Sequence, residues 1–532
     1  MTTDWQAGRI QLAFVETVEA DWAAELLARV SDGHTLFVPR SLAQLVREVL
    51  EFANTAETSP TVQSDQIARM LLSINTEHNA SELSPTGTAS RETVERILNE
   101  TFSLNSEQTI ARLREALITE VASVLFDAPL KLEVLQGNTM DTWFREWPDR
   151  VIRSELGKTP ADAFFVANGI PLGDLLKVGG YIVARMKSNN QLQFSRSELI
   201  AAGATESAVD YCILEMSAPI GSYRSNLRRD RRRGSIEQQR YTMTRFPFLR
   251  IADDTLLVLR YQWVADRFFG SMLYWPTFAG LPGFLPSGDA ESGSVAESFS
   301  DGMNHIFERA VGDSLANIVA NSTLATRLIT EDELQQTWST QRGAMPSACD
   351  WVIVAGRLCI VVDATNRHVS AELAQGLGTV DDYAADMEAT FSNPGEKFDQ
   401  LGKTMDRLAD SGHADFGLGK DSVFAPLIVV PDGGLPNTPT SDLDMQLRSL
   451  PNLYRFDGRI YPPTAVTLSM LQLLEGVAER FGRHRFYPDV IEVINTWRRS
   501  NLTAVKMTLE DIVDGVFPPA PYRNAYSEDI AT

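Results

Sequence analysis

Apolar residues recur every three or four positions through the first quarter of the chain, in "DWAAELLARV", "SLAQLVREVLEFA", "SDQIARMLLSI" and "RETVERILNETF". That spacing gathers them on one side of a helix and predicts a run of amphipathic helices. The polar stretches "NTAETSPTVQ" and "EHNASELSPTGTAS" separate them. Residues 1–135 therefore read as a helical scaffold or interaction domain, with no cluster that suggests chemistry. From 140 to 290 the pattern becomes mixed. "FSRSELIAAGATESAVDYCILEMS" predicts a helix capped by Ser195 or Ser197, a turn at Gly203, and a second helix capped by Thr205. This is compatible with a helix-turn-helix whose second helix enters a major groove. Val209, Ile213 and Met216 also suit two helices packed together without DNA contact, the commoner arrangement. "TRFPFLRIADDTLLVLRYQWVADRFFGSMLYW" predicts two short strands around "ADD" and an aromatic-rich helix whose rings fill core. "GLPGFLPSGDAESGSVAES" is rich in turn residues and marks a boundary.

Beyond it the order is helix, strand, strand, helix, strand, helix. "SFSDGMNHIFERAVGDSLANIVA" is the first helix, "CDWVIVAG" and "RLCIVVDAT" an antiparallel pair around a tight turn. "NPGEKFDQLGKTMDRLADSG", "SVFAPLIVVP" and "SDLDMQLRSL" complete the series. The expected fold class is α/β (α+β) and multidomain, with an α/β core over 296–435 and a helical C-terminal extension over 436–532.

Composition narrows this picture. The 532 residues are 44% hydrophobic and 22% charged, ordinary for a globular protein. No apolar run approaches the ~20 residues that span a bilayer. The N-terminal "MTTDWQAGRIQLAF" has no basic region and apolar core of a secretory signal. Three cysteines without metal-type pairing fit a reducing cytoplasm, the expected location. The net charge of −22 repels nucleic acid at long range, so any nucleic-acid site must be locally basic. The densest basic stretch is "YRSNLRRDRRRGSIEQQR", with Arg228, Arg229, Arg231, Arg232 and Arg233. It reads as a phosphate-tracking loop, or as a loop paired with acidic surface. Arg480, Arg483, Arg485, Arg498 and Arg499 make a second candidate patch with the same two readings.

The candidate chemistry lies in the hairpin. Residues two apart on a strand share a face, so Val361, Asp363 and Thr365 project together. Asp350 begins the preceding strand and is placed to meet Asp363 across the ladder. Two adjacent carboxylates repel unless a positive group sits between them, and a divalent cation is the usual answer. Glu308 is a candidate third oxygen ligand. Lys397, Gln400, Lys403 and Arg407 share one polar helical stripe. His368 reads as a surface residue or an aid to proton transfer, and His305 with Glu308 makes too poor a set for zinc. No phosphate-binding "GxxxxGK[ST]" loop and no nucleophile elbow is present.

"HIFERAV", "CDWVIV" followed by "CIVVDAT", and "KFDQL" together resemble the PD-(D/E)xK, or restriction-endonuclease-like, nuclease superfamily over residues 296–435. More loosely, the layout is similar to that of large bacterial nuclease-like proteins of phage defence. The resemblance implies that Glu308, Asp350 and Asp363 ligate Mg²⁺ or Mn²⁺ for hydrolysis of DNA or RNA. It also implies a lysine two residues after the second acid, where this chain has Thr365. Members exist whose lysine has moved to the neighbouring helix, which makes Lys397 or Lys403 its replacement, with Gln400 beside them and Arg367 as a phosphate clamp. Two functions follow. One is a nuclease acting against phage or plasmids. The other is an inactive nuclease fold that binds nucleic acid, a protein partner or a second copy of itself as a regulatory subunit.

Overall fold

The computed structural model describes residues 39–52, a few positions between 66 and 114, and most of 132–517; the interruptions are 150–152, 190, 233–240, 253, 340–345, 375–376, 411–415, 417, 419–420, 436–438, 457 and 501–507. Of the N-terminal helices expected, "SLAQLVREVLEFA" is seen and the others lie largely outside the described residues. The chain is mixed α/β and forms two compact units whose segments interleave along the sequence: 1–130, 170–273 and 372–379 in one, 131–169, 274–371 and 380–532 in the other. Among the described residues no helix is long and apolar enough to cross a membrane.

In the first unit, α1 (Pro39–Phe52), α2 (Leu172–Asn189), α3 (Arg196–Ala201), α4 (Glu206–Glu215), α5 (Ile220–Asp230) and α6 (Tyr261–Phe269) surround a small sheet. Its strands β1 (Gln193–Ser195), β2 (Ser217–Pro219), β3 (Phe248–Ala252) and β4 (Thr255–Val258) run in the order β1-β4-β3-β2. The Ser195 hydroxyl caps α3 by accepting from the Glu198 N–H at 3.2 Å, and α4 follows after a short turn. Val209, Ile213 and Met216 are buried, so the stripe expected of α4 is core. The outward side of α4 carries Glu206, Asp210 and Glu215, and Arg196 on α3 binds the first two at 3.1 and 2.8 Å. An acidic helix face repels a phosphate backbone and suits the reading in which this helix pair packs without DNA contact.

The arginine-rich stretch is not a loop over its first half. Tyr223, Leu227 and Asp230 are buried at helical spacing and make 220–230 the helix α5. Arg224 Nε donates to the Leu50 carbonyl at 3.1 Å, and Arg231 forks onto Glu51 at 3.1 and 2.7 Å with Glu48 at 3.4 Å. Those arginines fasten α1. Arg228, Arg229 and Arg232 are exposed, and Arg233 lies outside the described residues. Arg231→Ala is expected to take one of two cations away from Glu48 and Glu51, both 2% exposed and also acted on by Arg47, and to cost ~1–3 kcal/mol in thermal or urea unfolding. Unchanged stability would show that the pair contributes nothing to holding α1.

The second unit is built on the sheet β5 (Arg327–Thr330), β6 (Trp351–Ala355), β7 (Leu358–Ala364), β8 (Val423–Val430) and β9 (Thr464–Thr467), in that spatial order. The β5-β6-β7 pairs are antiparallel and the β7-β8-β9 pairs parallel. Its helices are α7 (Val295–Asn321), α8 (Lys397–Asp410), α9 (Pro439–Leu453), α10 (Leu468–Phe481), α11 (Val490–Ser500) and α12 (Leu509–Val516). Phe307, Val311, Leu315 and Ile318 of α7 pack with Ile360, Val362, Ala364, Leu427 and Val429 on one face of the sheet, together with α10 to α12. α8 packs against β7 and β8. Helices on both sides explain why β7 and β8 are almost wholly apolar rather than alternating.

Pro426 breaks no ladder bond. Val423 donates to Arg357 and Phe424 to Arg459, so even-numbered residues of β8 face the β9 side. The β9 ladder starts only at Leu427↔Thr464, one residue beyond the proline. The β6–β7 turn places Gly356 at φ 58°, the left-handed conformation a two-residue hairpin requires.

Candidate active site

The β6–β7 register fixes the acids. Trp351 pairs with Val362, so one step further out Asp350 stands directly opposite Asp363. Like charges at such positions destabilise a ladder. Asp363 is moreover 1% exposed, on a strand in which every residue is buried. Burial is the main reason its carboxyl is held well above the ordinary carboxylate range, and Asp350 adds to it. Asp350 is raised in the same direction, chiefly by burial and further by Glu308.

Each acid has one oxygen held by a fixed donor. The Ala364 N–H donates to Asp350 Oδ2 at 2.7 Å, and Lys397 Nζ donates to Asp363 Oδ1 at 2.5 Å. Asp363 Oδ2 is buried without a fixed donor, and the two carboxyls are close enough to share a hydrogen bond when one of them carries a proton. Burial works against the charge on Lys397, but Asp363, Asp350 and Glu308 hold its ammonium above its ordinary value. Lys397 is the first residue of α8, the positive end of that helix and an unfavourable place for a cation. The acid pair compensates. The helix is preceded by a π turn over Glu388–Ser392, a deviation often found at functional sites, and Phe391 of that turn packs on Phe398 at 6.0 Å.

Thr404 sits two turns after Lys397 and is fully buried. Its hydroxyl accepts from the Cys349 N–H at 2.8 Å and so ties α8 to the residue before Asp350. Thr404→Val is expected to leave that N–H unsatisfied and to cost ~1–3 kcal/mol of stability. Loss of the lysine's alignment should follow. A melt unchanged from wild type would show that the tie has no structural weight.

The structure sorts the other candidates. Lys403 is bound to Asp399 at 2.7 Å on its own helix and is half-exposed, so Lys397 alone of the two meets the acids. The Gln400 N–H donates to the Glu396 carbonyl at 3.0 Å, and its side chain bonds neither acid. Arg367 is taken up by Asp386 at 2.7 Å and would have to exchange that partner for a phosphate. His368 is half-buried rather than a surface residue, and loss of solvent pushes its imidazole down to about 4, leaving it neutral at physiological pH. Glu308 is half-exposed and bound to His305 Nδ1 at 3.0 Å. Among the described residues no three His, Cys, Asp or Glu side chains stand close enough together to hold a metal ion. In this arrangement Glu308 stands apart from the two acids and acts on Asp350 and Lys397 through its charge. Arg498 is buried and donates to the Pro462 carbonyl at 2.6 Å, so it belongs to the core and not to a basic patch.

Sequence reasoning missed the Ala364 N–H and Thr404. A backbone donor carries no sequence signal. Thr404 had one: it lies at i+7 from Lys397, on the same helix face.

The two acids suit a hard divalent cation of the magnesium type, which keeps several waters and binds through one or two carboxylates. The buried Asp363 Oδ2, without a fixed donor, is what such an ion would satisfy. These features define a mixed α/β chain with an acid–acid–lysine cluster at the end of a central strand. No protein-family model, curated protein or solved structure matches the chain.

Proposed function

We propose that the second unit is a Mg²⁺- or Mn²⁺-dependent phosphodiester hydrolase acting on DNA or RNA, with its active-site lysine relocated from strand to helix. One observation carries this reading. Lys397 Nζ lies 2.5 Å from Asp363 Oδ1, supplying from α8 the positive charge that Thr365 does not provide.

Asp350 and Asp363 would hold the cation, which supplies Lewis-acid polarisation of a phosphate oxygen. The remaining work belongs to the chain. An ammonium carries three protons, and one of those on Lys397 is engaged with Asp363, leaving two for a substrate oxygen or the attacking water. Such a fixed positive group acts on charge that develops only in the transition state, where a single contact is worth most. The Ala364 N–H and Thr404 keep Asp350 and α8 in place. Defence against phage or plasmids is the proposed setting.

The test is incubation of purified protein with plasmid, linear DNA and RNA in Mg²⁺ or Mn²⁺. Cleavage by wild type and its loss in the Asp350→Ala, Asp363→Ala double variant are expected. Equal cleavage by both would remove this site from the chemistry. The absence of a third carboxylate at ligating distance among the described residues favours the second reading, an inactive nuclease fold serving as a binding or regulatory subunit. Phage protection that persists in an Asp363→Ala strain would select it.

A further inference from the structure

Between α10 and α11 the chain reads Gly482-Arg483-His484-Arg485-Phe486-Tyr487. The base of this loop is rigid. Phe481, Tyr487 and Phe517 pack with centroids 4.7, 5.0 and 5.6 Å apart, and the His484 N–H donates to the Phe481 carbonyl at 2.8 Å. A Cβ at Gly482 would meet the Asn321 carbonyl oxygen at 2.2 Å, so only glycine lets the loop lie against the end of α7.

Part of the positive charge here has a structural cause. Arg480 stands in the last turn of α10, and Arg483 donates to the Ala320 carbonyl at 3.3 Å near the end of α7. Both serve helix C-termini, where cations are favoured. Arg485, His484 and Phe486 have no such role. Among the described residues Phe486 is the most exposed large hydrophobic side chain, at 88%, and His484 lies between it and Tyr487, with ring centroids 5.7 and 5.3 Å away. The nearby acids are engaged. Asp489 accepts from Ser322 and Thr323 at 2.6–2.9 Å, Glu492 accepts from the Asp489 N–H at 3.2 Å, and Glu479 accepts from Asn317. A protruding aromatic pair flanked by arginines is thus held out on a chain whose net charge is −22.

We infer that His484 and Phe486 form a stacking platform for an unpaired base, with Arg485 on the adjoining phosphate, so that this loop binds single-stranded nucleic acid. Every base offers a π face and every linkage a phosphate, so recognition would be tolerant of sequence. The ligand class rests on the nucleic-acid reading of Proposed function. The loop does not share residues with the acid–lysine cluster, which makes the two separable by experiment.

The test is fluorescence anisotropy of a labelled oligothymidylate of about 20 nucleotides, longer than the ~4–16 that one single-strand module covers. It uses the full chain in EDTA at low salt. Phe486→Ala is expected to weaken binding by about 5- to 100-fold, the range for loss of one base–aromatic stack. Arg485→Ala should lower the slope of log K against log salt by ~0.7. Because EDTA withholds the divalent ion, the readout is binding alone and does not depend on whether the protein cleaves. No binding by wild type, or unchanged affinity in both Phe486→Ala and Arg485→Ala, overturns the inference. So does binding to anionic phospholipid vesicles that Phe486→Ala abolishes while oligonucleotide binding is unaffected, which would make the loop a membrane contact.

Discussion

Lys397→Met is expected to reduce hydrolysis by about 10²–10³-fold, the usual loss when one fixed transition-state donor is removed. Nucleic-acid affinity should change little, because the interaction is strongest as charge develops, and single-turnover rates separate the two. The same change should destabilise the fold. Lys397 is the charge partner of Asp363, which is 1% exposed, and breaking a buried pair by removing one member costs ~3–5 kcal/mol. Combining Lys397→Met with Asp363→Asn should recover much of that stability and none of the activity. If the single variant cleaves as wild type does, the lysine is a structural counter-ion and the relocation is disproved.

Asp350→Asn should stabilise the protein at neutral pH while abolishing its response to divalent metal. The asparagine Oδ1 can still accept from the Ala364 N–H, but the like charge opposite Asp363 is gone. Both acids bind protons more tightly in the folded chain than the ~3.9 of an unfolded carboxylate. Their contribution is therefore fully present below that value and is lost as pH rises through the higher folded-state values. Wild type should lose stability from about pH 4 upward through this pair, and the variant should lose less. At pH 7 to 8 the variant's advantage should be ~0.5–2 kcal/mol without metal. Wild type should gain ~2.7 kcal/mol when Mg²⁺ reaches about 100 times its dissociation constant, reversing the order. Melts across pH, with and without Mg²⁺, measure all of this. A wild type that melts identically in both conditions would contradict the two-acid site.

Much of the second unit was legible because its elements are long and strongly patterned. The apolar runs on either side of Gly356 could only be a hairpin, and its pairing put Asp350 opposite Asp363. The helix bearing Glu308 and the one bearing Lys397 followed from three- and four-residue spacing. The polar stripe of α8 could not separate Lys397 from Lys403, because that choice turns on Asp399 capturing Lys403 from the same helix. Nor could it place Glu308, whose distance from the acids depends on how α7 lies over the sheet. In the arginine-rich stretch, charge obscured a buried stripe of Tyr223, Leu227 and Asp230, so the helix there went unread. Arg498 misled for the converse reason: a charged residue in a surface-like string is buried when the residues around it are Ile494 and Trp497.

The most direct measurement is calorimetric titration of Mn²⁺ into wild type and into the Asp350→Asn, Asp363→Asn variant. The arrangement of the two acids and Lys397 predicts saturable binding of a single ion by wild type and none by the variant. Equal binding by both proteins, or binding by neither, would contradict it.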